Sequence, residues 1–293
     1  MKKSIEKANV LIESLPYIQK FSGKTFVIKY GGAAMVDEEL KNSFAQDIVL
    51  LNYIGIKTVI VHGGGPKINK IMEQMGKTPS FIQGQRFTDE ETVDIVEMVL
   101  GGLINKQIVS LINTHGGLAI GLSGKDGKLI EAKRKVINKL SPETGVPEII
   151  DLGLVGEVVK INPRILNSID EGGFIPVIAP ISAGQKSNTL NINADYVAGE
   201  IASALKAEKL ILLTDVEGIK DKKGKLISTL NTKKIKSLIS SNTISGGMLP
   251  KVQACQGAIG AGVKKTHIID GRTPHALLLE IFTEKGIGTE ILK

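Results

Sequence analysis

A chain of 293 residues, 42% apolar and 23% charged, can bury a large core and sits near the length at which one body becomes two lobes. Its net charge of +7 comes with no tryptophan and only 4% aromatics, so base-stacking platforms are scarce and no nucleic-acid partner is expected; a basic cleft for small anions explains part of the excess. The single cysteine, Cys255, rules out an intramolecular disulfide, no apolar run is long enough to span a bilayer, and the start Met1-Lys2-Lys3 lacks a secretory pattern, so a cytoplasmic location with no membrane partner is expected.

Apolar positions recur at helical spacing from Ile5 through Leu11, Ile12 and Leu15 to Ile18, which predicts a helix over 4–20; Pro16 is expected to kink or break it near Leu15. This stripe suits an arm packed on a second subunit, and equally a helix folded onto its own body. Phe26 to Tyr30 reads as a strand running into Gly31-Gly32, and Glu38 to Tyr53 as an amphipathic helix stopped by Gly55. A second strand, Thr58 to Val61, feeds His62-Gly63-Gly64-Gly65, and Pro66 suits the first turn of the helix that follows. Thr88 with Glu91 matches a capping box and opens a helix to Asn113, bent near Gly101-Gly102. Next come strands over 118–122 and 129–132, a polar, turn-rich stretch over 133–151, strand 155–161, helix 163–170 and strand 174–178. A loop-like stretch, 180–194, is expected to separate two halves. Beyond it the pattern predicts helix 194–205, strand 209–213, a hairpin around 221–224, helices near 232–239 and 247–261, strand 266–269, helix 274–283 and strand 287–291. This alternation predicts an α/β fold, a three-layer αβα sandwich around a mostly parallel central sheet.

Both early glycine turns stand where a strand end meets a helix start. There the missing Cβ lets backbone N–H groups approach an anion. Lys29, just before Gly31 and Gly32, ends an otherwise apolar strand, a costly position for a lysine unless it snorkels or meets an anion. His62-Gly63-Gly64-Gly65 also resembles the oxyanion turn of esterases, but Gly121-Leu122-Ser123-Gly124-Lys125 lacks the final glycine of G-x-S-x-G. No dinucleotide G-x-G-x-x-G follows either strand, and no Walker A loop occurs. A third glycine turn, Ser245-Gly246-Gly247, leads to Lys251 near a helix start, where the macrodipole disfavours a cation unless an anionic ligand is present. Asp195 could cap a helix or anchor lysine ammonium groups near a transferring phosphoryl. Asn191 offers a donor and an acceptor, and Arg86 could clamp a carboxylate or be an ordinary surface arginine. Two anion-binding turns converging on one cleft suit phosphoryl transfer.

Taken in order, Ile28 to Gly32, Val61 to Pro66, Gly84-Gln85-Arg86, Asn191 to Asp195, Leu212 to Val216 and Gly246 through Lys251 resemble the amino acid kinase family over nearly the whole chain. Gly-Gln-Arg together with Asn-Ile-Asn-Ala-Asp directs the resemblance to members that phosphorylate the γ-carboxylate of N-acetyl-L-glutamate with ATP and Mg²⁺, an early step of arginine synthesis. The resemblance implies catalytic roles for Lys29, Lys251 and Asp195. It implies substrate contacts for Gly64, Gly65, Arg86 and Asn191, and nucleotide contacts for Gly31, Gly32, Thr214, Asp215, Ser245 and Gly247. No dedicated metal cage is implied. A non-catalytic sensing module of the same fold is the contrary reading, against which Lys29, Asp195 and Lys251 together speak.

The chain also resembles the arginine-inhibited branch of that family, through a terminal helix with Tyr17 and a C-terminal stretch containing His267, Glu280, Gly286 and Gly288. The likeness implies an L-arginine inhibitor site there, with helices that interlace dimers into a hexamer, a trimer of dimers. It divides the chain into an interaction helix (1–20), an amino-acid-binding and dimerising lobe (21–183), and a lobe for ATP and arginine (184–293).

Overall fold

The computed structural model describes residues 1–82, 84–140, 147–184 and 188–293. Helix α1 (Lys2–Phe21) runs through Pro16 without a break, contrary to the expectation from sequence. Proline removes one i→i−4 donor, but Tyr17 and the buried Phe21 pack beyond it on the core and hold the last turn in place. Toward its start the helix leaves Ile5, Val10, Leu11, Ile12 and Leu15 exposed.

β1 (Thr25–Tyr30) is followed by a short 3₁₀ turn and α2 (Glu38–Tyr53), whose cap Asp37 accepts the Leu40 N–H at 3.0 Å. β2 (Lys57–His62) leads through the glycines into α3 (Gly65–Gln74). A two-residue pair follows, β3 (Phe81–Ile82) with β4 (Gln85–Arg86), so Arg86 stands in a strand rather than a loop.

α4 (Glu90–Glu97), a π-helical turn over Met98–Ile104 and α5 (Asn105–Thr114) form one continuous rod of 25 residues. The bend expected near Gly101-Gly102 is this π turn. The capping box is corrected: Asp89, not Thr88, caps the helix by accepting the Thr92 N–H at 2.8 Å, while Thr88 is buried and donates to the Arg86 carbonyl at 3.0 Å. The rod is long and apolar enough to cross a membrane by length and composition, which corrects the absence inferred from sequence; here Val93, Val96, Leu100, Ile108 and Ile112 are buried in the chain's own core.

After β5 (Ala119–Ser123), the stretch expected to be turn-rich forms a long antiparallel hairpin, β6 (Ile130–Leu140) and β7 (Pro147–Ile161). Polar side chains hid it, because a hairpin exposed on one face needs no continuous apolar run. Residues 141–146 of that stretch lie outside the described residues. α6 (Arg164–Glu171) and β8 (Ile175–Ala179) follow. The expected connector 180–194 instead holds β9 (Ile181–Ala183) and β10 (Thr189–Ile192); residues 185–187 lie outside the described residues. β10 pairs antiparallel with β9 and parallel with β7, closing a small barrel β10-β7-β6-β9.

The remaining elements are α7 (Ala194–Ala204), β11 (Lys209–Thr214), β12 (Thr229–Asn231), α8 (Thr232–Ser240), α9 (Met248–Gly260), β13 (Lys265–Asp270), α10 (Ala276–Ile281) and β14 (Thr289–Leu292). The main sheet has order β12-β14-β13-β11-β1-β2-β8-β5 and is parallel except between β13 and β14. β1 pairs with β2 on one side and β11 on the other, so both chain halves contribute to one sheet. An apolar cluster covers each face: Ile28, Ile60 and Ile211 belong to one, and Val27, Val61 and Leu212 to the other, as strand alternation requires. Cys255 lies within the second, its thiol pushed up to about 12 by burial, and acts as a small packed hydrophobe.

Candidate active site

Parallel strands place their carboxyl ends on one edge of the sheet, and ligands bind outside that edge. β1 and β2 are in register there, with Lys29 opposite Val61 and Tyr30 opposite His62, so both glycine turns leave the sheet side by side. They border a cleft of about 680 Å³ lined by Lys29, Gly31, Gly32, Gly64, Gly65 and Asp195.

Asp195 lies in the first turn of α7, which Asn193 caps by accepting the Asp195 N–H at 2.8 Å; Asp195 is therefore not the cap. Its carboxylate stands between two cations: Lys29 Nζ is 3.2 Å from Oδ1, and Lys251 Nζ donates to Oδ2 at 2.8 Å. Burial alone would raise the Asp195 pKa, but Lys29 and Lys251 outweigh it and hold the carboxyl below its ordinary range. Burial lowers the Lys29 pKa, and Asp195 opposes that shift. Two ammonium groups against one carboxylate leave an excess positive charge in a poorly hydrated place. That charge is suited to a ligand gaining negative charge.

Lys41 from α2, and Lys67 and Lys70 from α3, also line the cleft. Sequence reasoning missed them. Their one signal was that Lys67 and Lys70, three residues apart, follow directly on the glycine turn.

Gly32, which lines this cleft, lies against Asp215, and Asp215 lines a second cavity of about 470 Å³ with Gly218, Thr243, Ser245, Met248 and Arg272. Gly32 has φ +72°, and a Cβ there would collide with the Asp215 carboxylate, so glycine is required on both counts. Thr214 is buried at the end of β11, its carbonyl accepting the Gly271 N–H at 2.8 Å. Gly247 opens α9. Of the nucleotide candidates, then, Asp215 and Ser245 line the second cavity, Gly31 and Gly32 the first, and Thr214 and Gly247 lie at element ends behind them.

Arg86 is buried, with its guanidinium over the Phe81 ring at 4.9 Å. It donates to Asn69 Oδ1, to the Gly65 carbonyl at 3.3 Å and to Met72 S at 3.3 Å. Among the described residues no carboxylate pairs with it. Thr88 links it to Asn191, whose Nδ2 lies 3.4 Å from Thr88 Oγ1. Neither Arg86 nor Asn191 lines the 680 Å³ cleft; they stand together behind its Gly65 edge.

The residues singled out in the C-terminal region also converge. The Tyr17 ring meets Phe282 edge-on at 6.1 Å. Glu280, buried, accepts the Ile287 N–H at 2.8 Å, with His267 Nδ1 2.7 Å and Lys209 Nζ 3.8 Å away. A Cβ at Gly286 would strike that carboxylate, and one at Gly288 would strike the Ile268 carbonyl. Lys209 belongs to this group and was not anticipated.

The sequence profile of the Amino acid kinase family matches residues 24–270. Acetylglutamate kinase of Syntrophobacter fumaroxidans is 58% identical over 289 residues, covering 99% of this chain and 97% of that protein. Acetylglutamate kinase of Geobacter sp. strain M21 is 56% identical over 291 residues, 99% of each. Among solved structures, N-acetylglutamate synthase from Neisseria gonorrhoeae, complexed with coenzyme A and N-acetyl-glutamate, superposes with a TM-score of 0.84 at 26% identity. That match covers 98% of this chain and 63% of the synthase; the same synthase complexed with coenzyme A and L-arginine gives 0.81 at 25% identity.

Proposed function

Because the chain belongs to the amino acid kinase family, we propose that it transfers the γ-phosphoryl group of ATP to the γ-carboxylate of N-acetyl-L-glutamate, releasing ADP and an acyl phosphate. The observation that bears most weight is the buried Lys29–Asp195–Lys251 cluster at the meeting point of two glycine turns. A carboxylate oxygen attacks phosphorus in line, and the bond to the ADP oxygen breaks with its electrons leaving on ADP. The attacking carboxylate is already ionised, so no general base is needed and Asp195 serves as the anchor of both lysines. Lys29 and Lys251 offset charge on the transferring phosphoryl, while the Gly32 and Gly64 N–H groups offer donors to its oxygens. Mg²⁺ arrives as part of the substrate MgATP; Asp195, deep in the cleft, is committed to two ammonium groups. In this reading Gly31, Gly32, Thr214, Asp215, Ser245 and Gly247 serve the nucleotide. Gly64, Gly65, Arg86 and Asn191 serve the acyl-amino acid, with Arg86 holding its α-carboxylate. The described body divides accordingly into a substrate lobe over 21–183 and a nucleotide lobe over 184–293, and the cytoplasm is the location proposed.

Hydroxamate trapping of the acyl phosphate tests this directly. Product should form from N-acetyl-L-glutamate and MgATP, with L-glutamate, carbamate and UMP inactive. Turnover with one of the controls instead would discard the substrate and keep the fold, and binding without any turnover would favour a sensing module.

The same proposal extends to regulation by L-arginine at Tyr17, His267, Glu280, Gly286 and Gly288, supported by the placing of His267 and Gly286 against the buried Glu280 carboxylate and of Tyr17 against Phe282. The exposed stripe Ile5, Val10, Leu11, Ile12 and Leu15 supports α1 as an arm that pairs dimers into a hexamer. Inhibition of hydroxamate formation by arginine, and sedimentation of the intact protein, check the two parts separately.

A further inference from the structure

We propose that His62 and Asn105 are positioning residues that lock the Gly63–Gly64 peptide so that the Gly64 N–H is aimed into the cleft. The inference rests on the reading above, in which that N–H meets the transferring phosphoryl.

His62 ends β2 and has no exposed surface, so it cannot touch a substrate. Its Nδ1 lies 2.9 Å from the carbonyl of the next residue, Gly63. A carbonyl only accepts, so Nδ1 carries the proton and Nε2 is left with a lone pair. Nε2 faces the Asn105 amide nitrogen at 3.3 Å, which supplies the matching donor. Burial pushes the His62 pKa down to about 4, in keeping with a ring that stays in this neutral tautomer.

The amide orientation of Asn105 is fixed independently, because Nδ2 donates to the Val177 carbonyl at 2.9 Å and approaches that of Leu122 at 3.4 Å. Oδ1 of Asn105 fits where it does because residue 121 is glycine: a Cβ there would overlap it. Asn105 is also the first residue after the π-helical turn, and that turn presses Leu100 and Ile104 against Gly64, where a Cβ would meet Leu100 Cδ2 at 2.6 Å.

The consequence for the cleft follows from peptide geometry. In a trans peptide the carbonyl and the following N–H point in opposite directions. Holding the Gly63 oxygen back against His62 therefore turns the Gly64 N–H outward, and the Gly63 N–H is itself tied to the Tyr30 carbonyl at 2.8 Å. Among the described residues no intramolecular acceptor meets the Gly64 N–H. Glycine could rotate this peptide freely; the histidine removes that freedom before the ligand arrives, which is preorganisation of a donor.

Two substitutions separate positioning from space-filling. The Asn side-chain nitrogen overlays Nδ1 of histidine, so His62→Asn keeps the bond to Gly63. The end of a Gln side chain overlays Nε2, so His62→Gln keeps the Asn105 contact and loses the Gly63 bond. We expect kcat of His62→Asn to exceed that of His62→Gln by about tenfold or more, with KM for N-acetyl-L-glutamate little separated between them; full loss of one such donor costs about 10²–10³ in kcat. Equal kcat values, or a better His62→Gln, overturn the proposal. ¹⁵N NMR of the wild-type ring at pH 7 provides a reading independent of activity and of variant folding: the Nδ1–H tautomer supports it, and the Nε2–H tautomer or an imidazolium overturns it. If the wild type turns over none of the acceptors, the functional reading fails, while the ring tautomer still judges the inference.

Discussion

Two buried acids, each beside a lysine, stand at opposite edges of one sheet. Asp195 and Lys29 lie at the carboxyl ends of the parallel strands, whereas Lys209 opens β11 at the amino edge, in register with Phe26 and Lys265. Asp195 has two ammonium groups within 3.2 Å. Glu280 has Lys209 at 3.8 Å and a histidine whose pKa burial lowers, so at neutral pH its pairs balance. The first cluster holds one positive charge in excess and needs an anion; the second is already neutral and has a carboxylate to offer a cation. Similar residues thus make opposite sites, decided by one proton and by which edge of the sheet they occupy.

The largest expected effect breaks the first cluster. Asp195→Asn leaves two lysines without their shared counter-charge and should cost about 3 kcal/mol of stability at pH 7, read by urea unfolding. The folded-state pKa of Asp195 is depressed, so its stabilising contribution is complete above the unfolded carboxylate value of about 3.9 and fades as pH falls through the folded value. The difference between wild type and Asp195→Asn should accordingly shrink below about pH 4, and a constant difference down to pH 2 would contradict the assignment.

Lys251→Ala should lower kcat by about 10²–10³ with an unchanged circular dichroism spectrum, because it removes a charge aimed at the reaction and not a core side chain. A kcat within a factor of about three of wild type would remove Lys251 from the mechanism. At the opposite edge, Glu280→Gln replaces a carboxylate by an amide where a guanidinium is proposed to bind. The arginine concentration for half-inhibition should rise about tenfold, the value of one charged hydrogen bond; an unchanged curve would place the inhibitor elsewhere. Smallest in stability is Leu11→Asp on the exposed face of α1, expected to shift the monomer by no more than about 0.5 kcal/mol. Its effect should be confined to the sedimentation coefficient, and a hexamer that survives it would argue against the arm.

Much of the site was legible as local pattern. Lys29 before Gly31-Gly32, and three glycines after His62, announce themselves because a strand end and a glycine turn are short-range features. The hairpin of β6 and β7 was not legible, since Lys133, Arg134, Lys135, Asn138 and Lys139 break its apolar positions into short pieces, and only the pairing, such as Ile137 with Ile150, joins those pieces into strands. Nor were β9 and β10, whose partners are each other and the two strands of that hairpin, β6 for β9 and β7 for β10. The cap at Asp89 went to its neighbour Thr88 because both are good caps, and only the burial of Thr88 beside Arg86 separates them.

The amino-acid sequence by itself determined most helices and the strands of the central parallel sheet, the positions of the glycine turns and the identity of the charged residues, because periodicity and turn chemistry act over a few residues. Only the tertiary structure decided that Lys29, Asp195 and Lys251 share one carboxylate, that Arg86 meets Asn191 through Thr88, and that His62 finds Asn105. Those contacts span tens to hundreds of residues. Their energies depend on burial, which no local pattern encodes and which the packing of the sheet alone supplies.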